Sequence, residues 1–180
     1  VALQYGMAGG LEFNIDKPDD LFKPWGFQPG HQIEWAKLLL QLDTLGAEDW
    51  YLPAAIRLFD TAMSRGWDTR YGGLVYGYAP DGRIADAHKY FWVQAEAIAA
   101  SYRLYQRTRN HTYRAAYHRL WQWSWKHQID HNDGGWYRIT SPQGSWIEPY
   151  KSPAGKVDYH TMGACWDVLS VMGEHRISAR

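Results

Sequence analysis

The chain has 180 residues, and its 19 Lys plus Arg balance its 19 Asp plus Glu, so the formal net charge is zero. That balance lacks the basic excess of a nucleic-acid binder, and 46% hydrophobic against 21% charged residues excludes a disordered chain. No apolar run approaches the ~18 residues of a membrane span. The single cysteine, Cys165, excludes an internal disulfide framework and a Cys-based zinc site, and it reads as a buried structural thiol. Eleven Trp and 13 Tyr supply flat apolar faces, each with one polar handle. That composition suits a carbohydrate site and suits a Trp-rich core equally well.

Residues 1–29 show little period, and the prolines of Phe22-Lys23-Pro24-Trp25-Gly26-Phe27-Gln28-Pro29 exclude a continuous helix there. From His31 the pattern turns helical, and a helix over about 31–45 is expected, buried on several sides. A second helix follows from Leu52, Ala55, Ile56, Phe59, Ala62 and Met63, with Gly66 as its stop. Gly72 to Ile84, with Pro80-Asp81-Gly82 inside it, reads as a small hairpin. A third helix is expected over about 91–107 and a fourth over about 112–128. A second hairpin runs from Gly134-Gly135 through Ser141-Pro142-Gln143-Gly144 to Trp146. The last helix is expected over about 160–173.

These units repeat. Gly72-Gly73 and Gly134-Gly135 stand 62 residues apart, and each opens a hairpin that leads through a lysine, Lys89 or Lys156, into a new helix. A unit of two helices and a hairpin, about 60 residues long, cannot bury its faces alone and must stack on its neighbours. About six such hairpins close a ring. The expected fold is all-α, three repeats of an (α/α)6 toroid or barrel with small β-hairpins. The helices starting at His31, Trp92 and His160 are the inner candidates, their ends lining a central pocket.

Chemistry-bearing residues fall at those helix starts. His31 and Glu34 are three apart and share the first turn. The helix dipole there lowers an imidazole pKa and favours the neutral base. His160 opens another inner helix, so two histidines can face each other across the mouth of the ring. Such a pair suits proton transfer next to a carbonyl. Trp92, Gln94 and Glu96 add an aromatic platform and two polar groups, with Glu96 alternatively paired to an arginine. A metal site built on His31, Glu34 and His160 is the chemical rival, although no His-Glu-x-x-His motif is present. His127 and His131, at the end of the fourth helix, read as solvated rather than ligating.

Three blocks carry a resemblance. Phe22–Leu39, Lys89–Glu96 and Ser152–Cys165 resemble the N-acylglucosamine 2-epimerase superfamily, and its mannose isomerase branch most closely. The resemblance implies sugar bound in the cleft of an (α/α)6 barrel of roughly twice this length. Members of that family isomerise aldoses or epimerise C2 through a cis-enediol(ate). It makes His31 and His160 the acid/base pair and places Glu34, Trp92, Gln94, Glu96, Lys23 and Asp158 at or near the substrate, with no metal and no other cofactor. The form Tyr159-His160-Thr161-Met162-Gly163-Ala164-Cys165 differs from that of the N-acylglucosamine and cellobiose epimerases. That favours aldose–ketose isomerisation.

The expectation is therefore the C-terminal portion of a single barrel domain, with residues 1–20 fitting the family poorly. Its activity would be interconversion of D-mannose, or a close analogue, with D-fructose. It would be cytoplasmic, take a monosaccharide, and bind neither nucleic acid nor membrane. As half a barrel it would expose an apolar wall and could pair as a homodimer. The alternatives are a 2-epimerase, a sulfosugar isomerase, a glycoside hydrolase using Glu34, Glu96 or Asp158, and a non-catalytic sugar-binding module.

Overall fold

The computed structural model describes residues 14–17, 24–46, 48–151 and 158–178. Lys23 and Lys156 lie outside them, as does most of residues 1–20. Among the described residues five helices appear in chain order: α1 (Pro29–Leu45), α2 (Tyr51–Gly66), α3 (Phe91–Thr108), α4 (His111–His127) and α5 (Tyr159–Ser178). Four short strands are β1 (Gly77–Tyr78), β2 (Ile84–Asp86), β3 (Lys89–Tyr90) and β4 (Ile139–Thr140).

Local chemistry sets the helix ends. Pro29 occupies the first turn of α1, where its missing N–H costs nothing. Arg109 closes α3 in the left-handed region at φ 59°. The Asn110 side chain then caps α4 by accepting from the Thr112 N–H at 2.9 Å.

The packing makes α3 the axis of the molecule. It lies against α1, α4 and α5, and α2 covers α1. From Val93 to Ser101 every residue of α3 is buried. Ala95 and Ala99 meet Ala164 of α5, small side chains that let two helices approach closely. Leu39, Leu40, Phe59, Leu104, Leu120 and Val168 belong to the core that ties the helices together.

The three inner helices run parallel. His31, Trp92 and His160, near their starts, lie together. Towards their ends Asp167 of α5 takes Arg103 of α3 as a bidentate partner and accepts from Gln41 of α1 at 2.9 Å. Parallel inner helices alternating with the outer helices α2 and α4 are the arrangement expected for a partial toroid.

The repeat is exact at the turns, in a 62-residue register. The Asp68 N–H donates to the Gly73 carbonyl, and the Asp130 N–H donates to that of Gly135. The Asp68 carboxylate caps the Arg70 and Tyr71 N–H groups and pairs with Lys89 at 2.7 Å. Asp130 likewise caps Asn132 and Asp133 and pairs with Lys151 at 2.7 Å. Lys151, not Lys156, is thus the counterpart of Lys89. The second hairpin closes through its Ser-Pro-Gln-Gly turn as expected, with an antiparallel Thr140–Trp146 bridge and the Ser141 N–H donating to the Ser145 carbonyl at 2.8 Å. Its strand β4 also pairs antiparallel with β3 of the preceding repeat.

The outer helix fastens the first turn. Trp123 of α4 donates its indole N–H to the Tyr71 carbonyl at 3.0 Å and lies flat on Gly72 and Gly73. Apolar rows stay exposed at both edges of the described structure: Trp35, Leu42 and Leu45 on α1, and Met162, Trp166 and Leu169 on α5. Cys165 is exposed as well, contrary to the buried thiol expected, and it lines an apolar groove of about 260 Å³ between α3, α4 and α5. No described helix is long and apolar enough to cross a membrane.

Two glycines separate backbone strain from crowding. Gly73 and Gly134 both sit at φ +74°, but a Cβ on Gly73 would lie 2.8 Å from the Trp123 ring, whereas Gly134 has nothing within 4 Å. Each change to alanine should cost ~1–2 kcal/mol for the left-handed backbone, and Gly73→Ala should cost ~1–3 kcal/mol more through overpacking. Urea unfolding of both variants measures the difference, and equal losses would contradict it.

Candidate active site

The site forms where the first turns of α1, α3 and α5 converge. Glu96, on α3, is completely buried. One carboxylate oxygen, Oε1, lies 2.7 Å from His160 Nδ1, and the other, Oε2, lies 2.6 Å from Lys37 Nζ. Lys37 is itself only 5% exposed at its side chain. One buried carboxylate thus joins all three inner helices, and its ionic partner is a lysine rather than the arginine considered above.

Trp92, one turn before Glu96, lies against both histidines. Its ring centroid is 5.1 Å from His31 and 5.4 Å from His160, tilted by 41° and 39°. Gly30 makes room for it: a Cβ there would fall 2.4 Å from Trp92 Cη2. The edge of the Trp92 ring therefore rests on the bare backbone of α1.

The titratable groups perturb one another. Burial pushes the His31 imidazole below its ordinary value, and the charge of neighbouring His160 pushes it the same way. Glu34 is half-buried, and burial raises its carboxyl above the usual range, with the Glu96 charge adding to the rise. His160 and Lys37 partly oppose that rise.

Single ligand atoms of Glu34, Glu96 and His160 lie within 4.8 Å of one another, a spacing a divalent ion can bridge. The donor set contains Glu96 where the sequence suggested His31. The Lys37 ammonium already neutralises Glu96 there, so a cation would have to compete with it.

Of the residues singled out from sequence, His31, Glu34, Trp92, Glu96 and His160 come together. Gln94 does not. Its amide nitrogen donates to the Leu74 carbonyl at 2.8 Å and its amide oxygen accepts from the Leu74 N–H at 2.9 Å. Fully buried, it ties α3 to the first hairpin and is not offered to a sugar, which corrects the expectation for it. Asp158 stands exposed just before α5, its backbone carbonyl accepting from the Met162 N–H. His127 approaches the Gly144 carbonyl at 3.3 Å and His131 the Trp125 carbonyl at 2.8 Å, both apart from this cluster. Sequence reasoning missed Lys37 and Gly30. The available signal for Lys37 was a lone charge inside Ala36–Leu40, an otherwise apolar run.

The family model for N-acylglucosamine 2-epimerase matches residues 11–164. The chain belongs to the N-acylglucosamine 2-epimerase family. Within that family it is 56% identical over 161 residues to a D-mannose isomerase of Marinomonas mediterranea, covering 89% of this chain and 41% of that protein. A crystal structure of D-mannose isomerase superimposes with a TM-score of 0.86 at 57% identity, over 89% of this chain and 41% of that one. The cellobiose 2-epimerase of Spirochaeta thermophila superimposes with a TM-score of 0.70 at 27% identity, over 83% of this chain and 38% of that one. The chain thus spans about two-fifths of the length of these family members, and its five helices are part of an (α/α)6 toroid.

Two outcomes follow. Gly30→Ala should displace Trp92 and change the near-ultraviolet circular dichroism while leaving helix content intact; an unchanged aromatic spectrum would contradict the contact. For His31, a folded pKa below the unfolded 6.5 means that the unfolded chain binds more protons between those two values. Its stabilising contribution is therefore complete above pH 6.5 and declines as pH falls from there towards the folded pKa. His31→Asn should flatten the fall of Tm between pH 7 and 5, and an unaltered slope would contradict it.

Proposed function

We propose that the protein carrying this chain interconverts D-mannose, or a close analogue, with D-fructose. The observation that carries this reading is the pair of histidines flanking Trp92 at three converging helix starts. The reading also draws on the likeness to D-mannose isomerases.

The chemistry requires a proton to leave C2 of the open-chain aldose while O1 gains one. The resulting cis-enediol then takes a proton at C1 and loses one from O2. His31, kept neutral near pH 7 by burial and by His160, is suited to accept a proton. His160, held through Nδ1 by Glu96, keeps Nε2 for the sugar. Both imidazoles lie against Trp92, whose apolar surface suits the C–H face of a sugar. Glu34, its carboxyl pKa raised, is suited to hydrogen-bond a sugar hydroxyl. The positive ends of three parallel helix dipoles favour the negative charge that develops on an enediolate. Such a site works by positioned acids and bases, and each proton transfer contributes ~10²–10⁴-fold.

Incubation with D-mannose in D2O containing EDTA, followed by NMR, tests this. Fructose carrying deuterium at C1 is expected, and His31→Asn or His160→Asn should each reduce its formation at least ~100-fold. Deuterium at C2 of glucose without fructose would make the protein a 2-epimerase. Unchanged D-mannose would overturn the substrate assignment.

A further inference from the structure

Lys37 has no part in the chemistry above, yet it occupies an expensive position. A lysine with a 5% exposed side chain has lost most of its hydration, and a buried ion pair is often no more stabilising than apolar residues of the same volume. Its ionic partner is Glu96 Oε2 at 2.6 Å, while Glu96 Oε1 meets His160 Nδ1 at 2.7 Å. Lys37, Glu96 and His160 therefore form a line across α1, α3 and α5.

We infer that Lys37 is a positioning residue that sets the tautomer of His160 through Glu96. This inference rests on the reading of His160 as one of the two proton-transferring histidines. With an ammonium at Oε2, Glu96 remains a carboxylate and can only accept hydrogen bonds. Nδ1 of a neutral His160 must then carry the proton, which leaves the lone pair on Nε2.

Lys37 also balances the local charge. The groups facing His160 are His31, Glu34 and Lys37 from α1 and Glu96 from α3, with Asp158 and Tyr159 adjoining it in sequence. Removing Lys37 leaves two carboxylates, Glu34 and Glu96, against the imidazole with no lysine beside them. Oε2 then has no ammonium to hold it, and the carboxylate is free to turn away from Nδ1.

Histidine-selective 15N labelling of the whole chain, with His160 assigned through His160→Asn and observed by NMR, reads the tautomer directly. The unmodified chain should show His160 protonated at Nδ1 in its neutral form. Lys37→Met should mix the tautomers of the neutral ring. Lys37→Arg, which keeps the charge, should restore the single tautomer. An Nε2–H tautomer in the unmodified chain overturns the inference even if Lys37→Met fails to fold. A tautomer ratio in Lys37→Met identical to that of the unmodified chain overturns it too. The kcat/KM for D-mannose should fall in Lys37→Met and recover in Lys37→Arg. If D-mannose is not turned over while His160 responds as described, the isomerase reading falls and the Lys37 role stands. If D-mannose is turned over and His160 does not respond, the Lys37 role falls alone.

Discussion

The arrangement depends on one buried carboxylate. Glu96 has no exposed surface, so its charge must be met from within. It is met by Lys37 from one flanking helix and by His160 from the other. That requirement fixes the rotation of α1 and α5 about α3, because both partners must point inward at the same height. Once they do, His31 and Glu34 follow on the first turn of α1, and Trp92 sits one turn above Glu96. The small-residue contact of Ala95 and Ala99 with Ala164 brings α5 near enough for the 2.7 Å contact to form.

The outer parts hold this frame in place by a repeated device. In each turn an aspartate caps two backbone N–H groups and takes a lysine from a strand-side segment twenty-one residues later. In the first copy the lysine is fully buried and Trp123 covers the turn, and Lys89 lies in the short strand just before α3. The second copy is more open, with Lys151 about one-third exposed. Gln94 adds a further tie by pairing with both backbone groups of Leu74, so α3 is located by the hairpin as well as by its neighbours. The polar residues of α3 thus divide between a structural side and a site side.

Much of this was legible in the sequence. The helix pattern located all five helices within a few residues of their starts, because apolar spacing at three and four residues is a strong signal. The Gly-Gly repeat gave the inner and outer alternation, and that alternation brought His31, Trp92 and His160 to one end. What stayed hidden depended on contacts between distant segments. A lysine reads as a solvated residue until a buried carboxylate appears beside it, which is why Lys37 went unnoticed. Gln94 shares a sequence block with Trp92 and Glu96 but turns to a backbone twenty residues upstream. Cys165 was expected buried because a free thiol packs as a small hydrophobe, yet the row it shares with Trp166 and Leu169 is exposed. The pairing of β4 with β3 joins two repeats, and no local pattern encodes it.

The central claim is that Glu96 organises two imidazoles around Trp92 to meet one edge of an open-chain sugar. The most direct measurement is a crystal structure of the protein with mannitol, which resembles the open chain without reacting. The account predicts the C1–C2 end within hydrogen-bond reach, ~3 Å, of both the His31 and His160 ring nitrogens, with the carbon chain against Trp92. Mannitol bound away from Trp92, or touching neither histidine, would contradict it.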